Sequence, residues 1–374
     1  MNFEKITTYL DSLLERDIPS IDCIIYDNHK QVYRHMNGTT DVEKKCPING
    51  NEMYLMFSMT KVQTMIAIMQ LIERKLIRLD DNVSDYLPAY GKLNVIKDGK
   101  ISPLTTPLKL KHLVSMCSGL NYDLNSIGIE NVLKKSGSHA TTRELVDSFT
   151  ETPLMFVPGE HFMYSLSHDV VGAIIEVVSE MRFGEYLQKN IWEPLGMNNT
   201  YFAKPVNNHI PNLATQFICD DNGAVVPMDN SCCYQLSENY ESGGAGLASC
   251  TSDYAVFADT IACGGISKDG IRIINPETIE LMKQNLLCPA AREDIANTMG
   301  RTGYGYGCGV QVLLEPELVG STAPKGVFGW DGAAGSCITM DTASKRSVVY
   351  VQHVRNCGMA FGEIHPALRD LVFG

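Results

Sequence analysis

Phe57-Ser58-Met59-Thr60-Lys61-Val62-Gln63-Thr64-Met65-Ile66-Ala67-Ile68-Met69-Gln70-Leu71-Ile72 is the stretch on which the reading of this chain turns. It holds the only Ser-x-x-Lys in the sequence. Val62, Met65, Ile66, Met69 and Ile72 recur at three- and four-residue steps, which predicts an amphipathic helix starting near Phe57. Residues three apart share a helix face, so the Lys61 amine is within reach of the Ser58 hydroxyl. A serine is a poor nucleophile until a neighbouring base takes its proton, and a buried lysine is such a base. The helix N-terminus favours an oxyanion and disfavours a lysine cation, which helps hold Lys61 neutral. By itself the motif says little, since average composition yields roughly one or two such tetrads in a chain this long.

The rest of the sequence narrows the possibilities. With 374 residues the chain can bury a large core in one domain or divide into two. Hydrophobic residues make up 44% and charged residues 20%, as in ordinary globular proteins. A formal charge of −12 and the absence of any basic run argue against a nucleic-acid partner. No apolar run is long enough to cross a bilayer. Met1 to Asp17 carries four acidic residues and lacks the pattern of a secretory signal, so a cytoplasmic protein is expected. Twelve cysteines are scattered without a C-x-x-C pair and read as buried, reduced hydrophobes. Nine histidines form no H-x-H or H-E-x-x-H cluster, so no metal site is expected and no cofactor is indicated.

Periodicity predicts a first helix over residues 2–16, then strands at 21–26 and 31–35 around an Asp27-Asn28-His29-Lys30 turn. From Leu79 short helical patterns follow, at 109–117, 142–149, 168–180 and 183–192. Beyond Gly243 strand patterns return at 309–314 and 346–351, and His365-Pro366-Ala367 opens a closing helix. The expected organisation is a sheet-and-helix domain from residues 1–78 and 243–374, interrupted by a mostly helical insertion at 79–242. Loops 121–138 and 207–235 are expected to contribute cleft residues that the sequence does not identify.

Two further fragments complete an ordered set. Tyr164-Ser165-Leu166 follows a Pro158-Gly159 turn, and Trp330-Asp331-Gly332 precedes Ala333-Ala334-Gly335. With Ser58-Met59-Thr60-Lys61 they resemble the three motifs of the serine β-lactamase and penicillin-binding-protein superfamily. The likeness is greatest to its class C β-lactamase-like branch, which includes family VIII carboxylesterases. Leu110 to Leu120, Trp192 to Met197, Gly243 to Leu247 and Asp253-Tyr254 add further matches along nearly the whole chain. The G-x-S-x-G elbow of the competing α/β-hydrolase fold is absent.

The resemblance implies an α/β (α+β) fold, a mainly antiparallel sheet flanked by helices with an inserted all-helical domain and the active site between them. It implies Ser58 as nucleophile, Lys61 and Tyr164 as the base system, and the backbone N–H groups of Ser58 and Ala333 as oxyanion hole. Whether Lys61 or Tyr164 takes the proton is left open. Leu166, Trp330, Asp331 and Gly332 would bind substrate. Leu166 replaces the family's usual asparagine, and Trp330 replaces its usual lysine, which puts recognition of anionic β-lactams in doubt. Asp331 would repel a substrate carboxylate, receive a substrate amine, pair with a nearby arginine or cap a turn. His168 reads as a surface or supporting residue, and Asp169 as a helix-dipole group. The expected function is hydrolysis of small or medium acyl esters through a Ser58 acyl-enzyme. D-aminopeptidase, amidase, weak β-lactamase, acyltransferase and silent ligand-binding alternatives stay open. The expected partner is a small ester or amide, and oligomeric state is not readable.

Overall fold

The computed structural model describes residues 1–43, 45–207 and 210–374. Asn208 and His209, part of the second predicted cleft loop, lie outside the described residues. A seven-stranded sheet forms the backbone of the molecule. Across it run the strands Tyr304–Tyr306, Gln311–Leu313, Phe328–Asp331, Cys337–Asp341, Arg346–Val351, Ser20–Asp27 and Lys30–Gly38. Every neighbouring pair is antiparallel. The N-terminal hairpin thus completes a sheet begun near the C-terminus.

Side-chain alternation divides the sheet into two faces. Ile21, Cys23 and Ile25 pack with Val348 and Tyr350 beneath the terminal helices Phe3–Leu14 and His365–Phe373. Ile24, Val349 and Val351 point the other way, into the main core with Ile338 and Met340. The predicted first helix, strands 21–26 and 346–351, and closing helix all form, within a few residues at each end. The helices Thr251–Ala262, Pro276–Met282 and Pro289–Met299 were not foreseen, because Gly-rich flanks obscured their periodicity.

The helix carrying the lysine departs from expectation. A 3₁₀ turn at Phe57–Met59 leads into the helix Thr60–Glu73, and every residue from Thr60 to Leu71 is buried. It is a central helix enclosed on all sides, not a half-exposed amphipathic one. Several of its polar side chains find a specific partner, while Gln63 Nε2 and Gln70 Oε1 have none among the described residues. Gln63 accepts from the Trp192 indole at 2.7 Å, Gln70 donates to Ile273 O at 2.9 Å, and Thr64 donates to Gly243 O at 2.6 Å.

Residues 79–242 hold a run of short helices, among them Leu110–Val114, Ile127–Ser136 and Ser167–Ser179. They also contain strands. Thr200–Phe202 pairs with Leu247–Cys250, which pairs in turn with Met53–Leu55. The segment is therefore hydrogen-bonded into the flanking parts of the chain and contains more than helix.

Gly329 lies where the strand Phe328–Asp331 crosses the strand Cys337–Asp341, and a Cβ there would sit 1.9 Å from Ile338 O. The nearest atoms, Ile338 O, Ile338 C and Thr339 Cα, are all backbone and leave no flexible atom to yield. Gly329→Ala is expected to destabilise the protein by about 3 kcal/mol through overpacking. A midpoint in urea unchanged from wild type would contradict this close approach.

Candidate active site

The Ser58 turn is built under strain. Phe57 has φ +46°, a left-handed conformation that a bulky aromatic residue adopts only when its surroundings enforce it. Two anchors do so. The Tyr254 hydroxyl, from the helix Thr251–Ala262, donates to Met59 O at 2.7 Å, and Met56 N donates to Leu247 O at 2.8 Å. The Asp253-Tyr254 match noted in the sequence thus includes a clamp on this turn.

Lys61 is fully buried one helical turn beyond Ser58, and its Nζ donates to Ser58 Oγ at 3.2 Å and to Gly244 O at 2.7 Å. Burial depresses its pKa to about 7, against the raising influence of Asp169 and Asp331. The Gly243-Gly244 segment approaches closely enough that a Cβ on Gly244 would lie 2.6 Å from Asp169 Oδ2. This accounts for small residues in that motif.

Tyr164 precedes the helix Ser167–Ser179 and stands over the amine, with Lys61 Nζ 4.5 Å from its ring centroid. Burial drives its phenol above the ordinary value, outweighing the Ser58 hydroxyl and the Trp330 indole that pull it down. The two candidate bases therefore separate. Burial pushes Lys61 towards its neutral amine and Tyr164 towards its protonated phenol.

Trp330 is 1% exposed and offers no surface to substrate. Its ring stacks on Tyr164 at 5.7 Å, and its Nε1 donates to Tyr164 Oη at 3.1 Å. The expectation that Trp330 binds substrate gives way to support for the tyrosine. Leu166 is likewise in the core, 5% exposed, over a separate cavity lined by Leu120, Asn121 and Phe149. Its backbone N–H donates to Asn121 O, and its side chain lies away from Ser58. Gly332 anchors a tight turn, donating from N to Ser336 O at 2.8 Å, and this turn presents Ala333 at the cleft beside Ser58.

Strand alternation sends Asp331 to the face opposite Trp330. There Asp331 forms a buried ion pair with Arg301, and His365 Nδ1 lies 3.8 Å away. Burial would raise this carboxyl, but Arg301 and His365 together hold it below the usual range. Of the readings open for Asp331, the structure provides the arginine partner.

His168 is not a surface residue. It is wholly buried, with Nε2 3.3 Å from Val114 O, and burial drives its pKa well down. Asp169 is also buried, accepting from Ser242 Oγ at 2.6 Å and Tyr240 Oη at 2.7 Å. Its role is to fix the Gly243-Gly244 segment against Lys61, beyond any dipole effect.

Ser58, Tyr164, Asp331 and Ala333 open on a cleft of about 410 Å³. Its remaining walls include Tyr122, Tyr234, Met299, Arg301 and Phe361, none singled out from the sequence. Tyr122 and Tyr234 lie in the two loops expected to contribute. Tyr122 stacks on Tyr164 at 5.7 Å, so the tyrosine is held between Tyr122 and Trp330.

Comparison with known proteins agrees with this geometry. The Beta-lactamase family model matches residues 4–363. The chain is 27% identical to Esterase EstB of Burkholderia gladioli, over 97% of this chain and 92% of that protein. It is 26% identical to Acyltransferase calJ of Penicillium decumbens, over 77% and 72% respectively. Among solved structures it is similar to EstCE1, a hydrolase with promiscuous acyltransferase activity. That match has TM-score 0.80, 25% identity and coverage of 99% and 98%. Unliganded simvastatin synthase (LovD) of Aspergillus terreus, at 20% identity, shares the fold with TM-score 0.81, covering 100% of this chain and 98% of that one. The chain belongs to the Beta-lactamase family and is a serine hydrolase of the β-lactamase fold.

Proposed function

We propose that this enzyme is a carboxylesterase acting on neutral esters of small or medium acyl groups, with Ser58 as nucleophile and neutral Lys61 as base. The observation that carries the proposal is the Lys61 amine, fully buried, 3.2 Å from Ser58 Oγ and depressed to about 7. Ser58 Oγ attacks the ester carbonyl carbon as its proton passes to Lys61 Nζ. The carbonyl oxygen becomes an oxyanion facing the N–H groups of Ser58 and Ala333. One such donor contributes about 3 kcal/mol to lowering the barrier. Collapse expels the alkoxide, which takes a proton from Tyr164 Oη or the Lys61 ammonium. Water then attacks the acyl-enzyme, giving its proton to the same base system, and releases the acid.

Preference for neutral substrates rests on charge. Arg301 and Asp331 neutralise one another at the cleft, and the other walls named above are aromatic or apolar. A β-lactam carboxylate gains little from a guanidinium already paired. Acyl transfer is a second reading, supported by the acyltransferase relative and by the hydrolase with promiscuous acyltransferase activity. In that case an alcohol replaces water in the second half-reaction. Residence in a reducing compartment is consistent with the twelve cysteines, all free of disulfides.

A fluorophosphonate should add once to the wild type and not to Ser58→Ala. Turnover of p-nitrophenyl acetate should greatly exceed that of nitrocefin. Adduct formation persisting in Ser58→Ala would sink the assignment. With added short-chain alcohol, transesterified product separates acyl transfer from simple hydrolysis.

The base assignment has a signed pH consequence. Because the neutral amine is required, kcat/KM should rise through an apparent pKa of about 7 and level off above it. Stability should move as well. Between pH 7 and 10 the unfolded lysine binds a proton that the folded one has lost, so Lys61 adds stability as pH rises. Lys61→Met should lose turnover and lack this increment. An identical stability slope in both proteins would remove the case for a neutral amine.

Trp330→Phe keeps the stacking but removes the Nε1 donor to Tyr164. A roughly tenfold fall in kcat with KM little changed is expected, in line with loss of about one hydrogen bond. A change in KM alone would instead make Trp330 a binding residue.

A further inference from the structure

Far from Ser58 in sequence and function, three metal-ligating side chains converge. Asp259 lies on the helix Thr251–Ala262 and Cys263 is its C-cap, four residues on, so both share one helix face. His29 meets them from the turn between the strands Ser20–Asp27 and Lys30–Gly38. Asn28 and His29 have φ +46° and +70°, a two-residue turn with both residues left-handed, which aims the imidazole at the helix. His29 N donates to Asp259 Oδ1 at 3.0 Å, and His29 Nδ1 lies 2.9 Å from Asp259 Oδ2. Cys263 Sγ lies 3.5 Å from Asp259 Oδ1, and all three ligand atoms fall within 4.8 Å of one another.

We propose that His29 Nδ1, the Asp259 carboxylate and Cys263 Sγ form a site for a thiophilic divalent cation, zinc foremost, with water as the fourth ligand. Zn–N and Zn–O bonds of about 2.0 Å and a Zn–S bond of about 2.3 Å set tetrahedral ligand separations of about 3.3–3.8 Å. The His29–Asp259 contact of 2.9 Å opens by a few tenths of an ångström, the Cys263–Asp259 contact of 3.5 Å already lies in this range, and all three ligand atoms start within 4.8 Å of one another. Binding displaces the Cys263 thiol proton to solvent and leaves the imidazole proton on Nε2. The thiolate and carboxylate then balance the two positive charges, so the occupied site is neutral where Asp259 and Cys263 are buried. The His29 side chain is 28% exposed, which gives the ion a way in and the fourth position access to water. Sulfur and imidazole together select zinc or cobalt over magnesium and calcium. The His29 N–H bond to Asp259 holds the carboxylate in place independently of the metal, as supporting hydrogen bonds do in known sites. Sequence spacing could not reveal this set, since His29 lies in a hairpin turn 230 residues from Asp259.

The test uses the full chain, reduced and stripped with a chelator, then titrated with Co²⁺ and separately with Zn²⁺. The expected result is a thiolate-to-cobalt charge-transfer band saturating at one equivalent, and one zinc retained through gel filtration. Cys263→Ser should lose the band and the retained zinc. His29→Asn, which tolerates the left-handed turn, should lose retention while folding normally. Ester turnover serves as the check that both variants are intact. A wild type without the band would overturn the site. So would an undiminished band in Cys263→Ser, which would put the ion on another cysteine.

Discussion

A lysine amine with no exposure to water is the constraint around which this molecule is organised. Desolvation works against the ammonium, and among the described residues only Gly244 O and Ser58 Oγ receive hydrogen bonds from it. Keeping water away requires the helix Thr60–Glu73 to be enclosed throughout. That requirement puts polar Gln63, Thr64 and Gln70 inside, each with a dedicated partner. It also draws the Gly243-Gly244 backbone onto the helix, where any side chain would collide with Asp169 or His168 O. The buried His168 and Asp169 are then understandable. Asp169 tempers the depression of Lys61, while His168, neutral through burial, adds no second cation beside it.

Much of the fold was legible because it rests on local patterns. The hairpin at residues 20–38, the strand Arg346–Val351 and the helix His365–Phe373 each carry a period and a turn that read directly. The Ser58, Lys61 and Tyr164 group was legible for a different reason, as an ordered set of motifs whose family gives them a common place. What escaped was whatever depends on contacts between distant segments. Enclosure of the Thr60–Glu73 helix was hidden because its apolar stripe looks the same whether its polar face meets water or Trp192. Arg301 follows a Gly300 helix cap in a segment with no motif of its own, and only the fold brings it to Asp331. Tyr122 and Tyr234 sit in loops, where composition says nothing of direction.

The departures from the usual motifs acquire a shared logic in three dimensions. Consecutive residues on the strand Phe328–Asp331 face opposite ways, so replacing a lysine by Trp330 and following it with Asp331 changes two environments at once. On one face the indole buttresses Tyr164 and donates a hydrogen bond to its oxygen. On the other, Asp331 binds Arg301 and removes a free charge from the cleft. The lost lysine is therefore not replaced by another anion receptor. It is replaced by a rigid support for the phenol and by a neutral pair.

That exchange bears on how the proton is handled. Held between Tyr122 and Trp330, Tyr164 has little freedom to swing away from Ser58. Its burial raises the cost of a phenolate, while the burial of Lys61 lowers the cost of a neutral amine. The same desolvation thus pushes two neighbouring groups in opposite chemical directions. In the proposed mechanism the amine is then the acceptor and the phenol a donor, which is the pairing that acylation followed by leaving-group departure requires. A solvent-exposed lysine with the same spacing would be protonated and unable to begin the reaction. Ser-x-x-Lys becomes meaningful chemistry here through the enclosure of its helix, and the tetrad alone does not supply that.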